Sequence, residues 1–298
     1  MPIKTLYIVA GPTAVGKTHF AIQLAQLLQT EIISADSRQF FKEMSIGTAV
    51  PSATELNAVP HHFIQHLSIH ENYNVHKFEM DALKKIEELF LKHDSVVVVG
   101  GSGLYLNALA YGIDDLPDPS EKTRTELNNL YEIEGIEGLQ NLLEKLDPVF
   151  YKQVDLQNSK RLKRALEVCI TTGKPYSEQR LGQKKKRRFN IKWIGLKQDR
   201  AILNERINQR VDKMIEEGLL NEVRELFPLQ DLNALNTVGY KEFFLWLNKK
   251  ESYEWAVEKV KTNSRRFAKR QMTWFNKNED IYWVNIENID VSQVLNKL

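Results

Sequence analysis

Apolar positions in the first hundred residues change period several times. Leu6–Ala10 is a short run rich in β-formers that stops at Gly11-Pro12, which predicts a buried strand. Lys17–Leu28 then carries Phe20, Leu24, Leu27 and Leu28 at helical spacing. Ile32–Ser34 predicts a second strand, and a polar loop begins near Asp36. Val75, Phe78, Ala82, Leu83, Ile86, Leu89 and Phe90 mark one face of an amphipathic helix. Val96–Val99 is a fully apolar strand closed by Gly100-Gly101-Ser102-Gly103. Alternating strands and helices imply an α/β fold around a parallel sheet with right-handed crossovers.

The pattern shifts at Leu116-Pro117-Asp118-Pro119. From there to about Arg188 no strand signal stands out. Leu127, Leu130, Leu139, Leu142 and Leu143, then Leu162, Leu166 and Ile170, predict helices. This stretch ends in the charge run Lys184–Arg188, after which Trp193–Leu196 predicts a strand and helices resume near Arg200. The expected organisation is a parallel-sheet α/β core over 1–115 and 190–298. A helical insertion over 116–189 interrupts it, and the C-terminal region is helical.

Composition narrows the class only slightly. The 298 residues are 42% hydrophobic and 27% charged, as in an ordinary globular protein. No apolar run approaches the roughly 18 residues that span a bilayer. The opening MPIKTLYIVAGPT carries no small-residue cleavage site, so no signal peptide is expected and a cytoplasmic location is. The single cysteine, Cys169, excludes an intramolecular disulfide and a cysteine-rich zinc site. It falls on an apolar helical stripe and is expected to be an inert core thiol. Net charge is only +2, so any affinity for nucleic acid has to come from the distribution of charge.

The clearest chemical signal is Gly11-Pro12-Thr13-Ala14-Val15-Gly16-Lys17-Thr18. It fits the phosphate-loop pattern G-x-x-x-x-G-K-S/T and has the required setting, a strand before and a helix after. Backbone N–H groups of such a loop cradle phosphate oxygens at the positive end of the helix. Lys17 adds a mobile charge, and the Thr18 hydroxyl is a candidate ligand for Mg²⁺. A nucleotide hydrolase would also need an acidic residue closing an apolar strand, yet Val96–Val99 closes on Gly100. The loop therefore binds phosphate without the usual means of hydrolysing a γ-phosphate. Asp36 follows the second strand at the carboxyl edge, where open α/β sheets bind their ligands. A carboxylate there suits a general base, a magnesium ligand or an ordinary turn residue. Arg206 and Arg210, four apart, share one helical face and suit either a joint grip on a diphosphate or a solvated surface.

Taken as a series, the motifs point further. GPTAVGKT (11–18), ISADSRQ (33–39), IGTA (46–49), Pro60-His61-His62 and GGSGLY (100–105) are followed by NSKRLKRALE (158–167) and Thr172-Gly173-Lys174. RINQRVDKM (206–214), Val238-Gly239-Tyr240-Lys241 and AKRQMTW (268–274) complete it. This order resembles the bacterial tRNA dimethylallyltransferase family over nearly the whole chain. The resemblance implies that the phosphate loop holds the diphosphate of dimethylallyl diphosphate, with Mg²⁺ on Thr18. Catalysis would then fall to Asp36, Lys17, Thr18 and Arg206, with Arg210 beside them on the diphosphate. The acceptor implied is the N6 amine of adenosine 37, beside the anticodon, in tRNAs reading codons that begin with U. Contacts to the anticodon stem-loop would come from Asp36, Ser37, Arg38, Gln39, Ser102 and Arg124, from Lys160, Arg161, Leu162, Lys163 and Arg164, and from Thr237, Gly239, Tyr240 and Lys241. Two departures from the family's usual form stand out: Ser102 replaces a threonine and keeps the hydroxyl, and Arg38-Gln39 replaces a smaller, more apolar pair.

The chemistry explains the residue types. The adenine N6 lone pair is delocalised into the ring, so attack needs a base on its proton and stabilisation of the departing diphosphate. The base must also be unpaired and extruded. Lys259–Lys277 holds seven Lys or Arg and no Asp or Glu, and Lys160–Arg164 is a second basic cluster; two such clusters in a near-neutral chain suit an RNA footprint. Three alternatives stay in view: a small-molecule phosphotransferase, a prenyltransferase acting on free adenylate, and a non-catalytic RNA-binding module. His61 and His62 lack zinc-site partners and are expected to be structural, with His61 near the site; Trp246 and Trp255 are expected to pack.

Overall fold

The computed structural model describes residues 4–287 and 289–298. The chain begins β1 (Thr5–Ala10), α1 (Lys17–Leu27), β2 (Ile32–Ser34), α2 (Ala53–Ala58), β3 (His61–His62), α3 (Val75–Phe90), β4 (Ser95–Gly100) and α4 (Gly103–Tyr111). Four helices follow: α5 (Glu121–Leu146), α6 (Pro148–Tyr151), α7 (Ser159–Thr172) and α8 (Tyr176–Gln179). Then come β5 (Asn190–Lys197), α9 (Arg200–Glu216), α10 (Leu219–Leu226), α11 (Lys241–Leu247), α12 (Tyr253–Phe275), β6 (Ile281–Asn285) and α13 (Val291–Asn296). Contacts divide the chain into two compact units, the residues up to Ala110 with Arg187–Leu298, and Tyr111–Lys186. No helix among the described residues is long and apolar enough to cross a membrane.

The first unit is the α/β fold expected from the alternating periods. Its six strands run β3-β2-β4-β1-β5-β6, and every pair is parallel. Ala10 aligns with Gly100 on one side and with Gly195 on the other, so the loops after β1 and β4 leave the same edge of the sheet. β2 also ends there, bringing the Asp36 loop beside them. The strand order reverses around β1, which creates the crevice in which such sheets bind ligands. Val9, Phe20, Leu24, Ile194 and Leu196 pack α1 onto the sheet. A second core of Val211, Leu219, Val223, Tyr240, Phe243 and Val260 holds α9 to α12 together, with Trp246 and Trp255 packed against it.

Two strands escaped the sequence reading. β3 is only two residues long, and β6 (Ile-Tyr-Trp-Val-Asn) is an edge strand whose burial does not alternate cleanly. His62 Nε2 lies 2.6 Å from Glu31 Oε2, and His61 Nδ1 lies 2.7 Å from Val59 O; neither ring lines the cleft described below. The charge run 184–188 is not wholly solvated either. Arg187 pairs with buried Glu79 at 2.8 Å and donates to the carbonyls of Ala108 and Leu109 near the end of α4.

The second unit has its own core of Leu127, Leu139, Leu143, Phe150, Leu162 and Leu166. α5 breaks at Gly135, whose φ of 67° is reachable there at low strain only by glycine. Buried Asp147 caps α6 by accepting from Phe150 N, and it ties in α8 through Ser177 N and Oγ. Cys169 is buried, and burial raises its thiol pKa; Val168 completes the buried stripe where Ile170, 41% exposed, was expected.

Candidate functional site

The phosphate loop spans the end of β1 and the start of α1. Gly16 opens α1 with φ 103° and ψ 22°, a left-handed turn that presents the loop's amides toward one centre. At Gly11 a Cβ would meet Leu196 O at 2.7 Å, so the loop leaves the sheet too close to β5 for any side chain. Lys17 Nζ donates to Pro12 O at 2.7 Å across the loop. Burial pushes its ammonium pKa down to about 8; Asp36 opposes the shift and Arg210 adds to it. Thr18 stands in the first turn of α1.

Arg206 and Arg210 resolve in favour of the loop rather than solvent. A Cβ at Gly16 would lie 3.7 Å from Arg206 Nη2, and Arg206 Nη1 is held by Gln198 Oε1 at 3.0 Å. Arg210 Nη1 donates to Thr13 Oγ1 at 3.3 Å. Burial lowers the Arg210 pKa, and the charge of Asp36 opposes the shift. Three cations, Lys17, Arg206 and Arg210, thus gather around one phosphate loop.

Asp36 follows β2 and faces this group. Its Oδ1 accepts the backbone N–H of Arg38 at 3.1 Å, a local turn that fixes the carboxylate. The Ser102 hydroxyl contacts both Ser37 N and Ser37 Oγ at 3.2 Å, locking the β2 loop to the β4 loop. At Gly100 a Cβ would lie 2.6 Å from Ala35 O, so these loops meet backbone to backbone. Gln271 of α12 completes the frame. Its Oε1 accepts Thr13 N at 2.8 Å, and its Nε2 donates to Gly101 O at 2.9 Å. One buried amide therefore ties the phosphate loop to the β4 loop.

These elements enclose a cleft of about 540 Å³. Thr13, Asp36, Ser37, Arg38, Ser102 and Arg210 line it, with Thr237, Gly239 and Lys241 on the far wall. Tyr105, Phe267, Arg270, Gln271 and Trp274 line it as well, and none of these five was singled out as a site residue from sequence. Their motifs, GGSGLY and AKRQMTW, did stand in the series, which was the available signal. Gly47 and Thr48 line the cleft too, on a loop held by Glu222, whose carboxylate accepts Ser45 N, Ile46 N, Gly47 N and Tyr240 OH.

Several expected RNA contacts have other work in this structure. Tyr240 is fully buried, with its hydroxyl 2.6 Å from Glu222 and its ring where a Gly47 side chain would sit, so it is a packing residue. Leu162 is fully buried in the core of the second unit and is likewise corrected to a packing residue. The Gln39 amide donates to Thr48 O and Ala49 O and bears on loop shape. The Arg38 guanidinium donates to Asn233 O and Ala234 O while still lining the cleft. Within the second unit Lys160 and Arg161 are exposed, whereas Lys163 donates to Asn128 Oδ1 and Arg164 to Pro117 O. Arg124, half-buried near the start of α5, belongs to the same unit.

Comparison with known proteins converges on one group. A family model described as IPP transferase matches residues 39–278. A tRNA dimethylallyltransferase from Christiangramia forsetii is 53% identical over 279 residues, covering 94% of this chain and 92% of that protein. One from Flavobacterium johnsoniae is 50% identical over 287 residues, 94% of this chain and 93% of its own length. Among solved structures, the tRNA isopentenylpyrophosphate transferase of Bacillus halodurans is 35% identical with a TM-score of 0.73, covering 99% of this chain and 95% of that one.

Proposed function

The chain belongs to the IPP transferase family, and from that premise and the cleft's geometry we propose that it moves a dimethylallyl group from dimethylallyl diphosphate to a tRNA adenine. The acceptor is the N6 amine of adenosine 37 in tRNAs reading codons that begin with U, and a cytoplasmic location accords with that substrate. The observation that carries the reading is that Asp36 and Arg210 line one cleft beside the phosphate loop, whose Lys17 feels the charge of both. A base and a diphosphate site stand where one reacting carbon can lie between them.

In the reaction the N6–C1 bond forms as the bond from C1 to the diphosphate oxygen breaks, and the N6 proton passes to the Asp36 carboxylate. A positioned base of this kind contributes about 10²–10⁴ in rate. The loop amides, Lys17, Arg206 and Arg210 take up the charge developing on the leaving diphosphate, a preorganised electrostatic task. Fixing the loops through Ser102 and Gln271 supports that preorganisation, because the donors need not move as charge develops. The residues present fit a magnesium ion. Thr18 offers a hydroxyl at the loop. A hydroxyl oxygen is the kind of hard ligand that magnesium takes. Bound there, it would neutralise charge on the leaving group.

The test follows the donor. With labelled dimethylallyl diphosphate and unmodified tRNA, one diphosphate should be released for each prenyl group incorporated, and added ATP should remain intact. ATP consumption in step with product would overturn the reading in favour of phosphotransfer.

A further inference from the structure

We propose that the cavity between α9 and α12 is a second ligand site, taking a small organic phosphate that lowers the affinity of the phosphate loop for its own ligand. The cavity stands by itself; its coupling to the loop rests on the donor reading above.

The cavity holds about 420 Å³, the size of an ordinary small-molecule pocket. It is distinct from the cleft, because α12 presents the two from nearly opposite faces. Val260, Ser264, Gln271 and Trp274 line the cleft, whereas Thr262, Arg265, Lys269 and Met272 line the cavity.

Charge decides the class of ligand. Arg200, Arg265, Arg266 and Lys269 line the cavity, and among the described residues no acidic side chain does. Asp199, next to Arg200 in sequence, is turned into the start of α9, where it accepts Ala201 N and Ile202 N. Arg265 is steadied by neutral partners, Asn208 Oδ1 at 2.5 Å and Thr262 Oγ1 at 3.0 Å. Four like charges are thus gathered with no counter-charge in the wall, and a bound anion relieves their repulsion. Leu203, Ala268 and Met272 add apolar surface between the cations. A phosphate that carries an apolar body uses both features, and inorganic phosphate uses only one.

The cavity also shares its wall with the phosphate loop. Pro12 lines it, and the Pro12 carbonyl holds Lys17 Nζ at 2.7 Å. Gln198 lines it too, and its Oε1 holds Arg206 Nη1 at 3.0 Å. Two anions on either side of that wall repel each other, and a ligand that engages Gln198 loosens Arg206. Filling one site therefore lowers affinity at the other, reciprocally.

The experiment fills the loop first. With Mg²⁺ and saturating dimethylallyl diphosphate but no RNA, nothing is turned over. The full-length protein is then titrated calorimetrically with geranyl diphosphate, ADP and inorganic diphosphate in turn. One of the two organic probes should bind once per chain and about tenfold or more tighter than inorganic diphosphate, and its identity shows whether the phosphate is a prenyl ester or a nucleotide. Raising the donor about tenfold further should leave that affinity unchanged, since a coupled site weakens only to a limit, whereas a competitor at the loop would weaken in proportion. In prenylation assays the same probe should raise the donor KM to a plateau about 5- to 150-fold above its starting value. Arg200→Glu should weaken the probe by about tenfold or more, and Asn204→Trp should fill the cavity and block it; thermal melts identify which variants are folded. No binding by any probe, an affinity that tracks the donor, or binding untouched by the folded variants overturns the proposal. Loss of stem-loop affinity in Arg200→Glu without small-phosphate binding overturns it as well and makes this face an RNA contact. If the probe binds as described while no prenyl group reaches RNA, the donor reading falls and the site remains.

Discussion

Glu222 offers a quantitative check on how the acceptor wall is built. Its Oε2 accepts Ser45 N at 2.9 Å and Ile46 N at 2.8 Å, and its Oε1 accepts Gly47 N at 2.9 Å and Tyr240 OH at 2.6 Å. Glu222→Ala removes all four bonds at once. Hydrogen bonds to a charged group contribute about 1.5–3 kcal/mol each, but the three amides belong to half-buried residues and regain water. The Tyr240 side chain is fully buried, so its hydroxyl is left orphaned at a cost of about 1–3 kcal/mol. A net loss of about 3 kcal/mol is expected, which at about 2–4 °C per kcal/mol lowers the melting temperature by roughly 6–12 °C. Tyr240→Phe alone should cost about 1 kcal/mol. In the Glu222→Ala background the same change should cost nothing or restore stability, because it deletes the orphan. Thermal melts of the four proteins close this double-mutant cycle. Strictly additive losses, or a Glu222→Ala melting point within a degree or two of the parent, would refute the account. In the folded variant the KM for tRNA should rise while that for the donor stays put, since Gly47 and Thr48 line the cleft on a loop separate from the phosphate loop.

Lys17 is charged below about 8 in the free protein, so kcat/KM for dimethylallyl diphosphate should fall as pH rises through that value, while kcat, with diphosphate bound, holds to higher pH. Because this folded-state pKa lies below the unfolded 10.5, the unfolded chain retains the proton longer, and stability should rise between about pH 8 and 10.5. A flat kcat/KM from pH 7 to 9.5 would contradict the first expectation. Asp36→Asn should lower kcat by at least about 10² and leave tRNA affinity nearly intact; near-normal kcat would reduce Asp36 to a turn residue. Gln271→Ala should raise the donor KM several-fold by freeing the phosphate loop, as measured by steady-state kinetics, whereas an unchanged donor KM would deny it that positioning role.

What could be read from sequence follows from the range of the interactions. The phosphate loop, β1, β2, β4 and the Asp36 turn were legible because local pattern specifies them: an apolar run, a glycine pair, a lysine and a threonine in order. Arg206 and Arg210 shared a face by spacing alone, yet spacing left open whether that face met solvent or the loop. The ties that complete the site span long distances. Thr13 to Gln271 is separated by 258 residues and Gly47 to Glu222 by 175, and such pairs leave no local trace. Tyr240 and Leu162 went the other way. Each sits in a motif beside functional residues, but helix and turn geometry aim it into a core, and motif membership does not record which way a side chain points.

The central claim is prenyl transfer to an adenine in RNA, and mass spectrometry of the acceptor tests it most directly. The protein is incubated with dimethylallyl diphosphate, Mg²⁺ and an unmodified anticodon stem-loop, with free AMP as a competing acceptor in a parallel reaction. The account predicts a stem-loop heavier by one dimethylallyl group in place of one hydrogen, mapped to adenosine 37, and unmodified AMP. A stem-loop of unchanged mass, or AMP prenylated as readily as the RNA, would contradict it.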